Sequence, residues 1–311
     1  MHIKSNTAAK TRNVFFHQHN KYLADEVTFN RFLSMVSDPT YFHLTKKDFE
    51  GKRILDAGCG NTAYFEVAMH RLGVGHITCL ELGDDWIETL KDGLKQYGLP
   101  SSSVTYVSGS TDDLPFPDES FDMTFSNGVL MHLIDMNQIN RAFNELARVT
   151  RPGGYLYIVF AVPGGLLETE VVPAIRKYYR ENKSFKKIID TLTPDTFREF
   201  FQTIADGMRR HSGEEFDYSK LLPLFDVDLC ITIQGLLQVP KRHILTLDEE
   251  YILKRYDENG FETPKRCKRY VRRKNIRKYF ASLHYDTDNR FSEALYGPGN
   301  LEFIGRKREK R

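Results

Sequence analysis

The chain has only four cysteines in 311 residues, one tryptophan and no long apolar run. The cysteines, Cys59, Cys79, Cys230 and Cys267, are scattered with no CxxC pair, which argues against a disulfide framework or a zinc site and for buried thiols. The longest apolar run, "YLYIVFAV" at 155–162, is far too short to span a bilayer. The N-terminus "MHIKSNTAAKTRNVFF" lacks the apolar core of a secretory signal, so a cytoplasmic protein without a membrane span is expected. Neither sign of charge dominates: Lys and Arg number 44, Asp and Glu 42. That near-balance hides an asymmetry. Between 264 and 311 there are 15 Lys and Arg against 5 Asp and Glu, while the whole chain carries only +2, so the first 263 residues are net acidic. A basic end of this kind meets an anionic substrate, nucleic acid or a membrane surface, or is simply a solvated face.

What is present is a rhythm. From residue 53 to about 160, strand-like and helix-like stretches alternate. "KRILDA", "HITCLEL", "VTYVSG", "FDMTFSNG" and "YLYIVFAV" read as strands. Between them, "TAYFEVAMHRLG" puts Phe65, Met69 and Leu72 on one helical face. "DDWIETLKDGLKQYG" does the same with Trp86, Leu90, Leu94 and Tyr97, with Asp84 or Asp85 as the expected N-cap. "MNQINRAFNELARVTRPGG" aligns Ile139, Phe143, Leu146 and Val149 before a Pro-Gly-Gly stop. Such alternation implies a parallel sheet covered on both faces. It breaks at 164–245, where helical, aromatic stretches such as "VVPAIRKYYREN" follow one another, and resumes with "LDEEYILKRYDENGF". The organisation expected is therefore an N-terminal helical flap (1–50), a sheet core (51–163), a helical insert covering the acceptor (164–245) and a completion of the sheet with a basic segment (246–311).

The stretch "RILDAGCGNT" ends the first strand with an acid and two glycines. Parallel sheets bind ligands at the carboxyl ends of their strands, and glycines there let a ligand approach. Gly58, Gly60 and Ala63 match the dinucleotide pattern G-x-G-x-x-G/A, and Glu81 lies 21 residues after Gly60, where an acid grips ribose hydroxyls. Asp56, however, would repel a pyrophosphate and favour a ligand bearing an ammonium group. That ranks a nicotinamide enzyme last.

Residues 54–160 resemble the class I S-adenosylmethionine (SAM)-dependent methyltransferases, especially the small-molecule group that includes the ubiquinone-pathway enzymes. "ILDAGCG" is similar to their first motif, "CLEL" to the acidic end of strand two, and "VSGSTDDLPFPDESFD" to their "GDAEDLPFPDNSFD" segment. "SNGVLMHL" and "LARVTRPGGYLYIVF" match the motifs after strand four and around strand five. The resemblance implies a Rossmann-like, seven-stranded, mostly parallel α/β sheet with helices on both faces, with "NLEFIGRK" as the last, antiparallel strand. It implies SAM as cofactor and S-adenosylhomocysteine as its product. Asp56, Gly58, Cys59 and Gly60 would line the methionyl end, with Asn127 nearby. Glu81 would hold the ribose, Leu82 would lie beside the adenine, and Ser110, Thr111 and Asp112 would meet the adenine edge. Ser110 stands where the family often has Asp, and Asp112 is the substitute.

Methyl transfer from a sulfonium needs alignment more than activation, and a base only for a protonated acceptor. His132 is the candidate base. Tyr178 and Tyr179 in the insert are candidate acceptor contacts, facing outward. His17 and His19, an HxH pair, lack further ligands for a metal and are expected to help close the flap with Tyr22. The reading is a methyltransferase acting on O or N of a small-molecule acceptor. A nucleic-acid methyltransferase using the basic segment and a non-catalytic SAM-binding protein are its rivals. No "DPPY" or "NPPY" follows strand four, which argues against the first, and nothing in the residues speaks to oligomeric state.

Overall fold

The computed structural model describes residues 26–133, 135–161, 179–191, 247–267 and 300–309, with residues 20, 176, 193, 196 and 237 individually. The strands are β1 Arg53–Ala57, β2 His76–Glu81, β3 Val104–Ser108, β4 Phe121–Asn127, β5 Thr150–Ala161, β6 Lys265–Arg266 and β7 Asn300–Arg306. They form one sheet in the order β3-β2-β1-β4-β5-β7-β6. The pairings among β1 to β5 are all parallel, and β7 runs antiparallel to β5 and β6. The strand order reverses between β1 and β4, the position at which open sheets of this kind take ligands.

The helices are α1 Glu26–Val36, α2 Tyr64–Arg71, α3 Asp84–Gln96, α4 Met136–Val149, α5 Lys183–Thr191 and α6 Glu249–Glu258. Two cores follow from the alternation of side chains along the strands. Ile54, Ile77, Met123, Phe125 and Tyr157 point to one face, packed with residues of α1, α2 and α3. Leu55, Ala57, Leu80, Leu156, Ile158 and Phe160 point to the other, packed with α4 and α6. The described part of the expected flap, residues 26–50, contributes α1 to the first layer: Phe29 stacks on Tyr97 with ring centroids 4.3 Å apart, and Phe32 on Tyr64 at 5.2 Å.

Two local expectations are corrected. The N-cap of α3 is Gly83, not Asp84 or Asp85; both acids lie in the first helical turn, where they complement the helix dipole without capping. The Pro-Gly-Gly run is not a stop after α4 but part of β5, which begins at Thr150. It produces a register shift, with Phe121 opposite Thr150 and Met123 opposite Tyr155, and Gly153 adopts φ +72° there.

Tyr256 of α6 joins the late strands to the sheet. Its ring is fully buried, and its hydroxyl donates to the carbonyl oxygens of Leu156 at 3.0 Å and Phe303 at 3.2 Å. The "LPFPD" turn before β4 is held by Arg148 of α4, which donates to the carbonyl oxygens of Phe116 at 2.7 Å and Leu114 at 3.1 Å and pairs with Glu145 at 2.7 Å. Glu145 in turn accepts the Leu114 amide at 2.9 Å. Arg148→Met therefore leaves two turn carbonyls without their charged donor and should cost about 1.5–3 kcal/mol of stability, the exposed Asp118 contact adding little. Chemical denaturation measures this, and a loss below about 0.5 kcal/mol would show that the turn stands without Arg148.

Candidate functional site

The glycine turn after β1 has a backbone only glycine tolerates well: φ is +87° at Gly58 and +64° at Gly60. A Cβ on Gly58 would also lie 2.3 Å from Cγ2 of Val129, in the loop after β4. The turn is thus pressed between two strand ends. Glu81, at the end of β2, holds it there. One carboxylate oxygen accepts the Gly60 N–H at 3.0 Å and the other the Leu82 N–H at 2.8 Å. Leu82 itself projects outward, 61% exposed, an apolar surface beside the turn.

Beneath the turn lies a cluster of acids. Asp56 is buried and hydrogen-bonded to the carboxyl of Glu66 from α2. Burial raises the Asp56 carboxyl well above its usual range, and the charges of Glu66 and Glu81 add to this. Burial also lifts Glu66, to about 7, although its hydrogen bonds oppose the shift. Two carboxyls in hydrogen bond must share a proton. The Cys79 thiol donates to Glu66 Oε1 at 3.6 Å, and the Cys59 thiol to the Gly60 carbonyl at 3.6 Å. A contact with the Cys79 thiol lowers Cys59, but burial and the surrounding carboxylates outweigh it and push it up to about 12. The ligand atoms of Cys59, Glu66 and Cys79 lie within 4.8 Å of one another, all buried, and the Cys79 thiol proton is already given to Glu66. Among the described residues, every charged neighbour that shifts Asp56 is acidic. The site therefore favours a ligand that brings positive charge.

The predicted site residues divide into groups. Asp56, Gly58, Cys59, Gly60, Glu81 and Leu82 gather around the turn, but the Cys59 thiol faces inward and its amide is spent on the Leu80 carbonyl at 3.1 Å. Ser110, Thr111 and Asp112 follow β3. Ser110 donates to Asp112, whose carboxylate also pairs with Arg141 of α4 at 3.0 Å. Burial raises Asp112, yet the bonds from Ser110, Arg141 and Gln138 prevail and hold it below the usual range. Asn127 ends β4, exposed, its amide donating to the Tyr64 hydroxyl at 3.5 Å. His132 closes the short 3-10 turn Leu130–His132 after β4. Tyr179 is not outward-facing as expected: it is buried, and its hydroxyl donates to Asp190 and accepts from Lys186 of α5 at 2.8 Å. Its pairing within the insert leaves the hydroxyl already engaged. Tyr178, His17, His19 and Tyr22 lie outside the described residues.

Sequence reasoning missed Glu66, Cys79 and Asn61. Asn61 is fully buried and donates to Asn20 Oδ1 at 2.5 Å, tying the N-terminal segment to the turn. The signal for Glu66 was present: it stands three residues before Met69, on the inward side of α2, where a lone acid is out of place.

Residues 55–158 match the model of the methyltransferase domain family. Over 131 residues the chain is 34% identical to the malonyl-[acyl-carrier protein] O-methyltransferase of Buchnera aphidicola, covering 42% of this chain and 48% of that protein. It is 34% identical over 189 residues to the fatty-acid O-methyltransferase of Mycolicibacterium smegmatis, covering 55% of this chain and 66% of that one. It is 28% identical over 171 residues to the ubiquinone/menaquinone biosynthesis C-methyltransferase of Vibrio parahaemolyticus, covering 53% and 60% respectively. The chain thus spans about half to two thirds of the length of these curated relatives. Residues 55–158 thus carry a methyltransferase domain, and the sheet order is that of the class I fold. Among the described residues no helix is long and apolar enough to cross a membrane.

The buried dyad has a consequence for stability. Because Glu66 holds its proton up to about 7 when folded and only to about 4.5 when unfolded, the stability it contributes is complete below about 4.5 and is lost as pH rises through 7. The melting temperature of the ligand-free protein should fall between about pH 5 and 7.5, and Glu66→Gln should flatten that fall. An unchanged slope in the variant would show that the dyad does not hold the shared proton.

Proposed function

We propose that the protein transfers a methyl group from SAM to an oxygen or nitrogen of a small-molecule acceptor. The observation that carries this is the Glu81 carboxylate holding the Gly60 and Leu82 amides at the carboxyl edge of the sheet, beside the buried Asp56, whose charged neighbours among the described residues are all acidic. Asp56 would meet the ammonium of the methionyl end beside Gly58 and Gly60. Glu81 would also accept the ribose hydroxyls, since each carboxylate oxygen accepts more than one bond. Leu82 offers its exposed side chain to the adenine, with Ser110, Thr111 and Asp112 around its edge. When bound, SAM supplies an activated methyl group, so the protein's task is to align the acceptor and exclude water. His132, just beyond β4, is the candidate base. The insert at 164–245 is assigned the role of acceptor cover, with Tyr178 as a candidate contact and Tyr179 as support for α5.

SAM at a hundred times its dissociation constant should stabilise the protein by about 2.7 kcal/mol, seen as a rise in melting temperature. A shift with NAD and none with SAM or its demethylated product would overturn the proposal. Asp56→Ala and Glu81→Ala should each weaken SAM binding at least about tenfold in calorimetry, because each removes a charged hydrogen-bonding group worth roughly 1.5–3 kcal/mol. Unchanged affinity in both variants would move the cofactor elsewhere.

A further inference from the structure

The register of the sheet places Asn127 of β4 opposite Val159 of β5, and Val159 opposite Glu302 of β7. These three residues form one row at the carboxyl edge, on the face that also carries Asp56, Phe125 and Tyr157 one row below. Neighbouring strands lie about 4.8 Å apart, so Asn127 and Glu302, two strands apart, are separated by roughly 10 Å. Val159, buried and apolar, is the floor between them. We propose that this row is the acceptor subsite and that Glu302 receives the nitrogen of a small amine, the group to be methylated. This rests on the methyl-transfer reading above.

Three features support an amine. Glu302 is an acid set among apolar neighbours, and among the described residues no Lys, Arg or His forms a salt bridge with it. The Tyr157 hydroxyl donates to Glu302 Oε2 at 3.2 Å. Part of the residue nevertheless stays open to solvent, so a ligand can reach it. Burial pushes its carboxyl up to about 8, close enough to an alkylammonium near 10 for proton exchange, whereas an aliphatic alcohol is far too weak an acid. Among the described residues no cation faces Glu302, so an ammonium suits the site better than a second carboxylate does. Among the described residues the titratable groups on this face include Tyr64, Tyr157 and Cys267, the last two raised by burial, with Asp56 and Glu66 further across the sheet.

The step balances. The acceptor arrives as R–NH3+ and gives one proton to the ionised Glu302, leaving R–NH2 and a neutral carboxyl. The nitrogen lone pair forms the N–C bond to the methyl carbon as the C–S bond breaks, its electron pair staying on sulfur. The nitrogen now carries the positive charge, the sulfur is a neutral thioether, and the proton leaves Glu302 for water through its open side.

The test uses the full chain, methyl-labelled SAM, and benzylamine, tyramine and ethanolamine as probes, with benzoate and benzyl alcohol as matched comparators. Label should pass to amines and not to the comparators. In the presence of the demethylated product, the amines should raise the melting temperature of the wild type and not of Glu302→Gln. That variant should keep its SAM-induced melting shift, which reports an intact fold, while kcat/KM for the amine falls at least about a hundredfold. Glu302→Asp should recover part of the loss. Transfer to benzoate or benzyl alcohol instead, acceptance of none of the amines, or a Glu302→Gln variant within about threefold of wild type would each overturn the subsite. SAM binding without any amine response removes this inference alone, and absence of SAM binding removes the methyl-transfer reading beneath it.

Discussion

The site depends on one carboxylate. Glu81 ends β2 and accepts backbone N–H groups from two directions, from Gly60 in the turn after β1 and from its own neighbour Leu82. The bond from Gly60 is buried and the one from Leu82 half-buried, so water competes little for the first. They fasten the turn to the strand beside it and fix where its positive-φ glycines sit. With Val129 against Gly58 from the other side, the turn has little freedom left. Binding surfaces held this way lose little entropy when a ligand arrives.

Around that fastening the electrostatics are one-sided. Asp56, Glu66 and Glu81 gather at the sheet edge, and Cys59 and Cys79 add two more acidic groups, all raised by burial or by one another where shifted. Protein interiors tolerate such a cluster by keeping protons on it or by admitting a cation. Elsewhere several acids have a basic partner: Asp112 has Arg141, Asp122 has Arg151 at 2.7 Å, and Glu145 has Arg148. The contrast marks the edge near β1 and β2 as chemically distinct from the scaffold around it. Glu302 repeats the pattern at the far side of the same edge, an acid raised by burial with a tyrosine for company.

Much of this was legible in the order of residues. The strand-helix alternation from 53 to 160 was readable because each strand is apolar and each helix carries one apolar stripe, and both follow from burial. The glycine turn and Glu81 were legible because few residue types satisfy a positive φ or an acid at a strand end. Boundaries were less so: Thr150 joins β5 because it pairs with Phe121, a partner distant in sequence. Glu66 escaped notice because a charged residue on a short helix reads as solvated until the strand beneath it is known.

The sequence by itself determined the local elements, the position of the glycine turn and the acid after it, since these rest on side-chain periodicity and backbone sterics within a few residues. Only the tertiary structure decided which acids meet. Asp56 and Glu66 are ten residues apart, and Glu302 lies 143 residues beyond Val159, yet strand pairing and helix packing bring each into contact or into line. Proton sharing, raised carboxyls and a common row at a sheet edge all depend on distances of a few ångströms through a low-dielectric interior. Those distances exist only after the sheet has closed.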